Sequence, residues 1–200
     1  KDCFWINPLG YHFSQMKVSD LCLMNQNGEL VYGKERTGDA AQSIHSNIYK
    51  SRPDINAVAH AHPMYGKTFS TLNKELKPIT QDSCAFYKRT AMFKDYDGVA
   101  NGPDEGINIA KALADKNFLI LQNHGILTTG SMVETALWYF LNMEEAYKSQ
   151  LLAEAVGEPI VIPDKVAIHT RDYVANDLSA FASIQPLLDV LWEKEPEFLD

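Results

Sequence analysis

Short apolar runs alternate with amphipathic stretches along this chain. Phe4-Trp5-Ile6-Asn7 reads as a strand running into a turn at Pro8-Leu9-Gly10. Asp20-Leu21-Cys22-Leu23-Met24 and Leu30-Val31-Tyr32 flank Asn27-Gly28 and predict a hairpin, because Asn-Gly tolerates the positive φ of a tight turn. Ala40 to Ser51 carries Ile44 and Ile48 one helical turn apart, with Asp39 as N-cap and Arg52-Pro53 as the stop. Ile55 to His60 is then a short strand, and helices follow over Tyr65 to Leu72 and from Pro103 to about Ala114. Thr80 to Tyr87 reads either as a buried strand with a satisfied polar turn or as a segment offering polar groups to a substrate, and Phe118 to Gln122 as a strand ending at Asn123-His124-Gly125. Ser131-Met132-Val133-Glu134 matches a capping box. The helix it opens repeats apolar residues from Ala136 through Leu152 until Gly157 and Pro159 stop it. A last helix covers Ala180 to Trp192, started or kinked near Pro186.

Strand and helix thus alternate, which predicts an α/β chain. At 200 residues and 46% apolar, one compact domain over 1–200 is the economical reading. Residues 160–200 are expected to form a C-terminal extension packed on that domain or on a neighbouring subunit. The chain opens without a methionine or a secretory leader, so an N-terminal part is expected to be missing. A formal charge of -8 sets the average field against nucleic acid and against a polybasic membrane patch. The strongest apolar runs, such as Phe118 to Leu121, are far short of the roughly 20 residues that cross a bilayer. Cys3, Cys22 and Cys84 are odd in number and unpaired in spacing, which suits reduced thiols in the cytoplasm. Gly98, Gly102 and Gly106 do not form a dinucleotide fingerprint, and no Gly-x-Ser-x-Gly elbow is present.

The chemistry sits at strand ends. His60 and His62 in Ala-Val-Ala-His-Ala-His-Pro are two apart, so both side chains point to the same face of a strand. Pro63 and Gly125 end their strands at loops, where ligands are usually placed. With His124 as a third imidazole, neutral nitrogens could surround one ion and leave positions open for water or substrate. His12 and His169 are read as ordinary polar residues, and His45 as a second layer behind the centre.

Arg52-Pro53-Asp54-Ile55-Asn56-Ala57-Val58-Ala59-His60-Ala61-His62-Pro63, with Leu121-Gln122-Asn123-His124-Gly125 and the helix that follows, resembles the class II aldolase/adducin head family. Ile6-Asn7-Pro8-Leu9-Gly10 is similar to its I-T-P-x-G turn, which makes Asn7 and Gly10 candidate substrate contacts. The resemblance implies a three-layer α/β/α domain with a central, mostly antiparallel sheet, assembled as a homo-oligomer (tetramer or dimer). It implies that His60, His62 and His124 hold a divalent metal, usually zinc, with iron or manganese as other occupants.

Two departures from the family pattern bear on the substrate. Where its sugar-phosphate enzymes read Ser-Ser-Glu, this chain has Asp39-Ala40-Ala41, so the acid/base carboxylate is replaced by alanine. The phosphate-binding serines are lost too, and a carboxylate in their place repels a phosphate. Asp82 is the first candidate for the missing acid/base and Glu105 a distant second; Tyr87 is a phenol donor and Gln81 a substrate contact.

The leading expectation is therefore a metal enzyme acting on a small, non-phosphorylated hydroxy-carbonyl substrate by C–C cleavage or related enediolate chemistry. Three histidines with open positions also suit a non-haem Fe(II) oxygenase. An adducin-like interaction module that has kept the fold without catalysis is the third reading.

Overall fold

The computed structural model describes residues 2–34, 36–95 and 103–200. Gly98 and Gly102 lie outside the described residues. The chain forms two compact units that interleave along the sequence. One holds the described residues through Pro53, those from Pro103 to Lys111, and Gln185–Asp200; the other holds Asp54 to Asp95 and Ala112–Ile184.

In the first unit, β1 (Cys3–Ile6), β2 (Cys22–Asn25) and β3 (Leu30–Tyr32) form an antiparallel sheet in that order. Alternation puts Phe4 and Ile6 of β1, and Cys22 and Met24 of β2, into one small core, with Ala41 and Tyr49 of α1 (Asp39–Ser51) packed against it. The N-cap of α1 is Gly38, and Asp39 is its first residue, held 3.6 Å from Arg36. An acidic group in the first turn still complements the helix dipole. Ile44 and Ile48 are buried as their spacing predicts.

In the second unit, β4 (Ala57–Ala61), β7 (Gly125–Gly130), β6 (Phe118–Leu121) and β5 (Thr90–Phe93) form one sheet in the order β4-β7-β6-β5. The β4/β7 and β7/β6 pairs are antiparallel and β6/β5 is parallel. Every residue of β6 is buried, as suits a central strand. On this sheet pack α2 (Met64–Ser70) and α5 (Val133–Val156). Their core joins Phe69, Phe86, Phe118, Ile120, Tyr139, Met143 and Tyr147.

Several elements differ from the sequence reading. β7 is a strand although Thr128-Thr129-Gly130 looks polar, because its hydroxyls are satisfied internally: Thr128 donates to the Ala136 carbonyl at 2.8 Å and Thr129 to that of Asn117 at 3.1 Å. Ser131 does not cap α5; the N-cap is Met132, and the Ser131 hydroxyl instead bonds Asp177 at 2.5 Å. The Thr80 segment is a short helix, α3 (Gln81–Cys84), rather than a strand. Thr80 accepts from the Ser83 N–H and Ser83 from that of Thr80, a reciprocal cap that favours the helical turn.

The C-terminal residues carry α6 (Asp164–Val174) and α7 (Asp177–Lys194), which runs through Pro186. In the second unit α6 packs on α3. In the first, the Asp200 carbonyl accepts from the Ser19 N–H at 3.0 Å. No helix of the described residues is long and apolar enough to cross a membrane.

Candidate metal centre

The register of the second sheet brings three strand ends to one edge. Ala61 pairs with Ile126 and Leu121 with Gly125, so β4 ends, β6 ends and β7 begins at the same place. His60 and His62 leave the end of β4, and His124 occupies the tight turn between β6 and β7. In that turn Asn123 adopts a φ of 58°, which asparagine tolerates, and the His124 N–H donates to the Leu121 carbonyl at 3.0 Å.

The rings converge. Centroids are 5.2 Å apart for His60 and His62, 5.0 Å for His60 and His124, and 4.5 Å for His62 and His124. One ring nitrogen from each lies within 4.8 Å of the others, while a tetrahedral cation at 2.0–2.1 Å from each would need them about 3.3 Å apart. No carboxylate joins the group among the described residues.

Their chemistry suits a cation. His60 Nδ1 lies 2.9 Å from the Ile126 carbonyl; the carbonyl can only accept, so the proton is on Nδ1 and the lone pair on Nε2. Burial, with the nearby charge of Lys67 adding to it, lowers the His62 pKa below the usual histidine value. Burial, then the charge of His62, does the same for His124. Both effects favour the neutral imidazole that a metal needs.

A glycine makes room for this packing. A Cβ on Gly125 would stand 2.6 Å from the Ala61 carbonyl oxygen and 2.9 Å from His62 Cδ2. Gly125 therefore serves the site by close approach of the His62 ring, as well as by ending a turn.

Of the other sequence candidates, Tyr87, Gln81 and Asp82 belong to the second unit, and Asn7, Gly10, His45 and Glu105 to the first. Tyr87 is not brought to the imidazoles within this chain. It precedes β5 at the Thr90 end, which pairs with Phe118, whereas His124 follows Leu121 at the opposite end of β6. Its hydroxyl donates to Asp164 at 2.8 Å, and that bond raises its pKa. Gln81 and Asp82 are exposed in the first turn of α3, and the Asp82 carboxylate is not among the clustered ligand atoms. Asn7 follows β1, with its amide 3.4 Å from the Pro8 carbonyl, and Gly10 takes a φ of 88° with open space around it. Glu105 lies in the first turn of α4 (Pro103–Leu113). His45, on α1, stacks on Phe4 at 6.4 Å and tilts against Tyr49 at 6.2 Å. Burial pushes its pKa down to about 4.

The chain is thus an α/β protein with three convergent imidazoles at the end of one sheet that could hold a metal ion. The profile of the family "Class II Aldolase and Adducin N-terminal domain" matches residues 1–151, and the chain belongs to that family. It is 36% identical to "Decarboxylase NovR" of Streptomyces niveus over 197 residues, 98% of this chain and 73% of that protein. It is also 36% identical to the "4-hydroxy-3-prenylphenylpyruvate oxygenase/4-hydroxy-3-prenylbenzoate synthase" of Streptomyces roseochromogenus subsp. oscitans, over 98% of this chain and 71% of the relative. The solved structure of "L-fuculose 1-phosphate aldolase from Glaciozyma antarctica PI12" superposes with a TM-score of 0.90 at 38% identity, covering 100% of this chain and 79% of that one. The fold is thus the α/β fold of class II aldolases.

Proposed function

We propose that this chain is a divalent-metal enzyme that breaks a C–C bond, or carries out related enediolate chemistry, in a small hydroxy-carbonyl substrate without a phosphate. The observation that carries this reading is the convergence of His60, His62 and His124, with the His60 Nδ1 proton already committed to the Ile126 carbonyl. These imidazoles would hold the cation, with zinc the first choice. A bound divalent cation supplies Lewis-acid polarisation of a substrate carbonyl. The three rings act only as ligands, so proton transfer falls to another group, for which Asp82 is tested first.

The absence of a phosphate rests on Asp39-Ala40-Ala41, where Asp39 presents an exposed carboxylate in the first turn of α1. The Glaciozyma relative is named for a sugar phosphate, whereas one Streptomyces relative is named as a decarboxylase and the other for a phenylpyruvate. The printed names of the Streptomyces relatives favour a substrate of the second kind, a 2-oxo acid without a phosphate.

The printed activity of the second Streptomyces relative favours one further reading, an iron-dependent oxygenase on the same three histidines. Metal analysis of the purified protein, with oxygen uptake and product analysis on a 2-oxo acid and on L-fuculose 1-phosphate, separates them. Stoichiometric zinc and cleavage of the unphosphorylated substrate without oxygen uptake are expected. Stoichiometric iron with oxygen uptake selects the oxygenase, and turnover of the sugar phosphate alone removes the substrate assignment. Metal binding unchanged in His60→Ala and His124→Ala would leave the adducin-like interaction module. The same reading makes the chain a homo-oligomer, which light scattering measures.

A further inference from the structure

α2 begins directly after His62-Pro63, and its start has no cap of its own. Pro63 is the N-cap and offers no side-chain acceptor, so the N–H groups of Tyr65 and Gly66 at the second and third helical positions would be orphaned. Glu144 supplies what is missing. From α5, 78 residues away from Gly66 in sequence, one carboxylate oxygen accepts from Tyr65 N at 2.8 Å and the other from Gly66 N at 2.6 Å.

The close approach depends on Gly66. A Cβ there would lie 3.0 Å from Ile126 Cγ2 and 3.2 Å from Glu144 Oε2. Ile126 is the residue whose carbonyl orients His60. The other end of α2 reaches the third ligand, because the Ser70 carbonyl accepts from the Asn123 N–H at 3.1 Å in the turn that carries His124. One short helix therefore follows His62, packs on the His60 anchor and braces the His124 turn. The carboxylate of Glu144 fixes where that helix starts.

We propose that Glu144 is the positioning residue of the three-histidine centre, holding α2, and through it His62 and the His124 turn, in register for a divalent cation. This rests on the metal reading above. Glu144 touches neither cation nor substrate; it acts by removing conformational freedom from the ligands before binding.

The test uses cobalt(II), whose visible absorption reports ligand geometry, titrated into the metal-free full chain and its variants. Glu144→Gln keeps the size but presents only one acceptor oxygen to the two N–H groups. Its cobalt affinity is expected to fall about tenfold or more, with an altered absorption spectrum. Glu145→Gln, one residue along α5 and paired with Lys148 one turn away, is expected to match the parent. Pro63→Ser added to Glu144→Gln gives α2 a hydroxyl cap and is expected to recover part of the affinity, a rescue that general loss of packing would not produce. Should Glu144→Gln fail to fold, Glu144→Asp, which retains the charge but is shorter, is read by the same criteria. A parent that binds cobalt while Glu144→Gln binds within twofold and with the same spectrum overturns this inference alone; a parent that binds none overturns the metal reading and this with it.

Discussion

His60 donates through Nδ1 to the main-chain carbonyl of Ile126 across the β4/β7 pair at 2.9 Å. The acceptor is backbone inside a buried strand, so it cannot rotate away as a side chain could. Before any cation arrives, the ring is held in one tautomer and one orientation. In the metal-free protein at neutral pH, long-range proton–nitrogen NMR is expected to show His60 protonated on Nδ1. A proton on Nε2 would remove the assignment of that nitrogen as the ligand.

Gly125→Ala is expected to disturb the site more than its size suggests. The added methyl would meet the Ala61 carbonyl oxygen, which belongs to the backbone and cannot step aside, and the His62 ring. Overpacking of this kind destabilises by about 1–3 kcal/mol. Here it should also weaken metal binding, because the displaced group is itself a ligand. Denaturant unfolding and metal titration, run side by side, check both effects.

Acid should strip the centre, and later than for ordinary histidines. Metal and proton compete for the same lone pairs. Burial lowers the pKa of both His62 and His124, so these rings take up a proton at a lower pH than ordinary histidines do. Metal occupancy measured after equilibration across pH 7 to 4 is expected to fall only below the usual histidine range. Loss already complete at 6.5 would show that the rings are not shielded as the structure indicates.

Much of this centre was legible in the chain, and the reasons differ by residue. His60-Ala61-His62 could be placed on one face because strand side chains alternate, and Pro63 marked the end of the strand. His124 followed from an unbroken apolar run, Phe118 to Leu121, whose end is a turn. Glu144 was invisible: it lies in a helix among other charged residues, and only the tertiary approach of α5 to α2 gives it two partners. β7 escaped for a related reason, since its threonines look solvent-directed until their hydroxyls find buried carbonyls. A helical pattern was also assigned too early near Ser131, whose hydroxyl is drawn to Asp177 instead of capping. Tyr87 drew attention because it follows a polar cluster, and the parallel β5/β6 register, which no local pattern reveals, sets it at the Thr90 end of β5. α6 left a faint signal, Pro163 followed by Asp164, which fits a helix start.

Tyr147 offers a test of the core. Its ring stacks on Phe69 at 4.5 Å, and the residue is fully buried, yet among the described residues its hydroxyl has no hydrogen-bond partner. Burial pushes its pKa well up, so the group stays protonated and its polarity is uncompensated. Tyr147→Phe keeps the ring stack and deletes the orphaned group. A stability gain of about 1 kcal/mol is expected in urea unfolding, since an unsatisfied buried polar group costs roughly 1–3 kcal/mol. A loss of that size would mean that the hydroxyl is bonded, for instance through a buried water.

His45 gives the first unit a sign-determined response to acid. Among the described residues its buried Nδ1 has no hydrogen-bond partner, and burial holds its pKa at about 4 in the folded chain, against 6.5 when unfolded. Above 6.5 the ring is neutral in both states, so its titration makes no difference to stability. As pH falls from 6.5 towards 4, the unfolded chain takes up the proton first and the folded chain does not, so stability declines over that window and levels off below it. The difference corresponds to about 3 kcal/mol at most, an upper figure because the residue keeps some exposed surface. His45→Phe retains an aromatic ring beside Phe4 and Tyr49 and removes the titration. Its unfolding free energy, measured in denaturant at pH 7 and at pH 5, is expected to fall less than the parent's. An equal fall in both proteins would place the acid sensitivity on other groups and show that the His45 ring is hydrated.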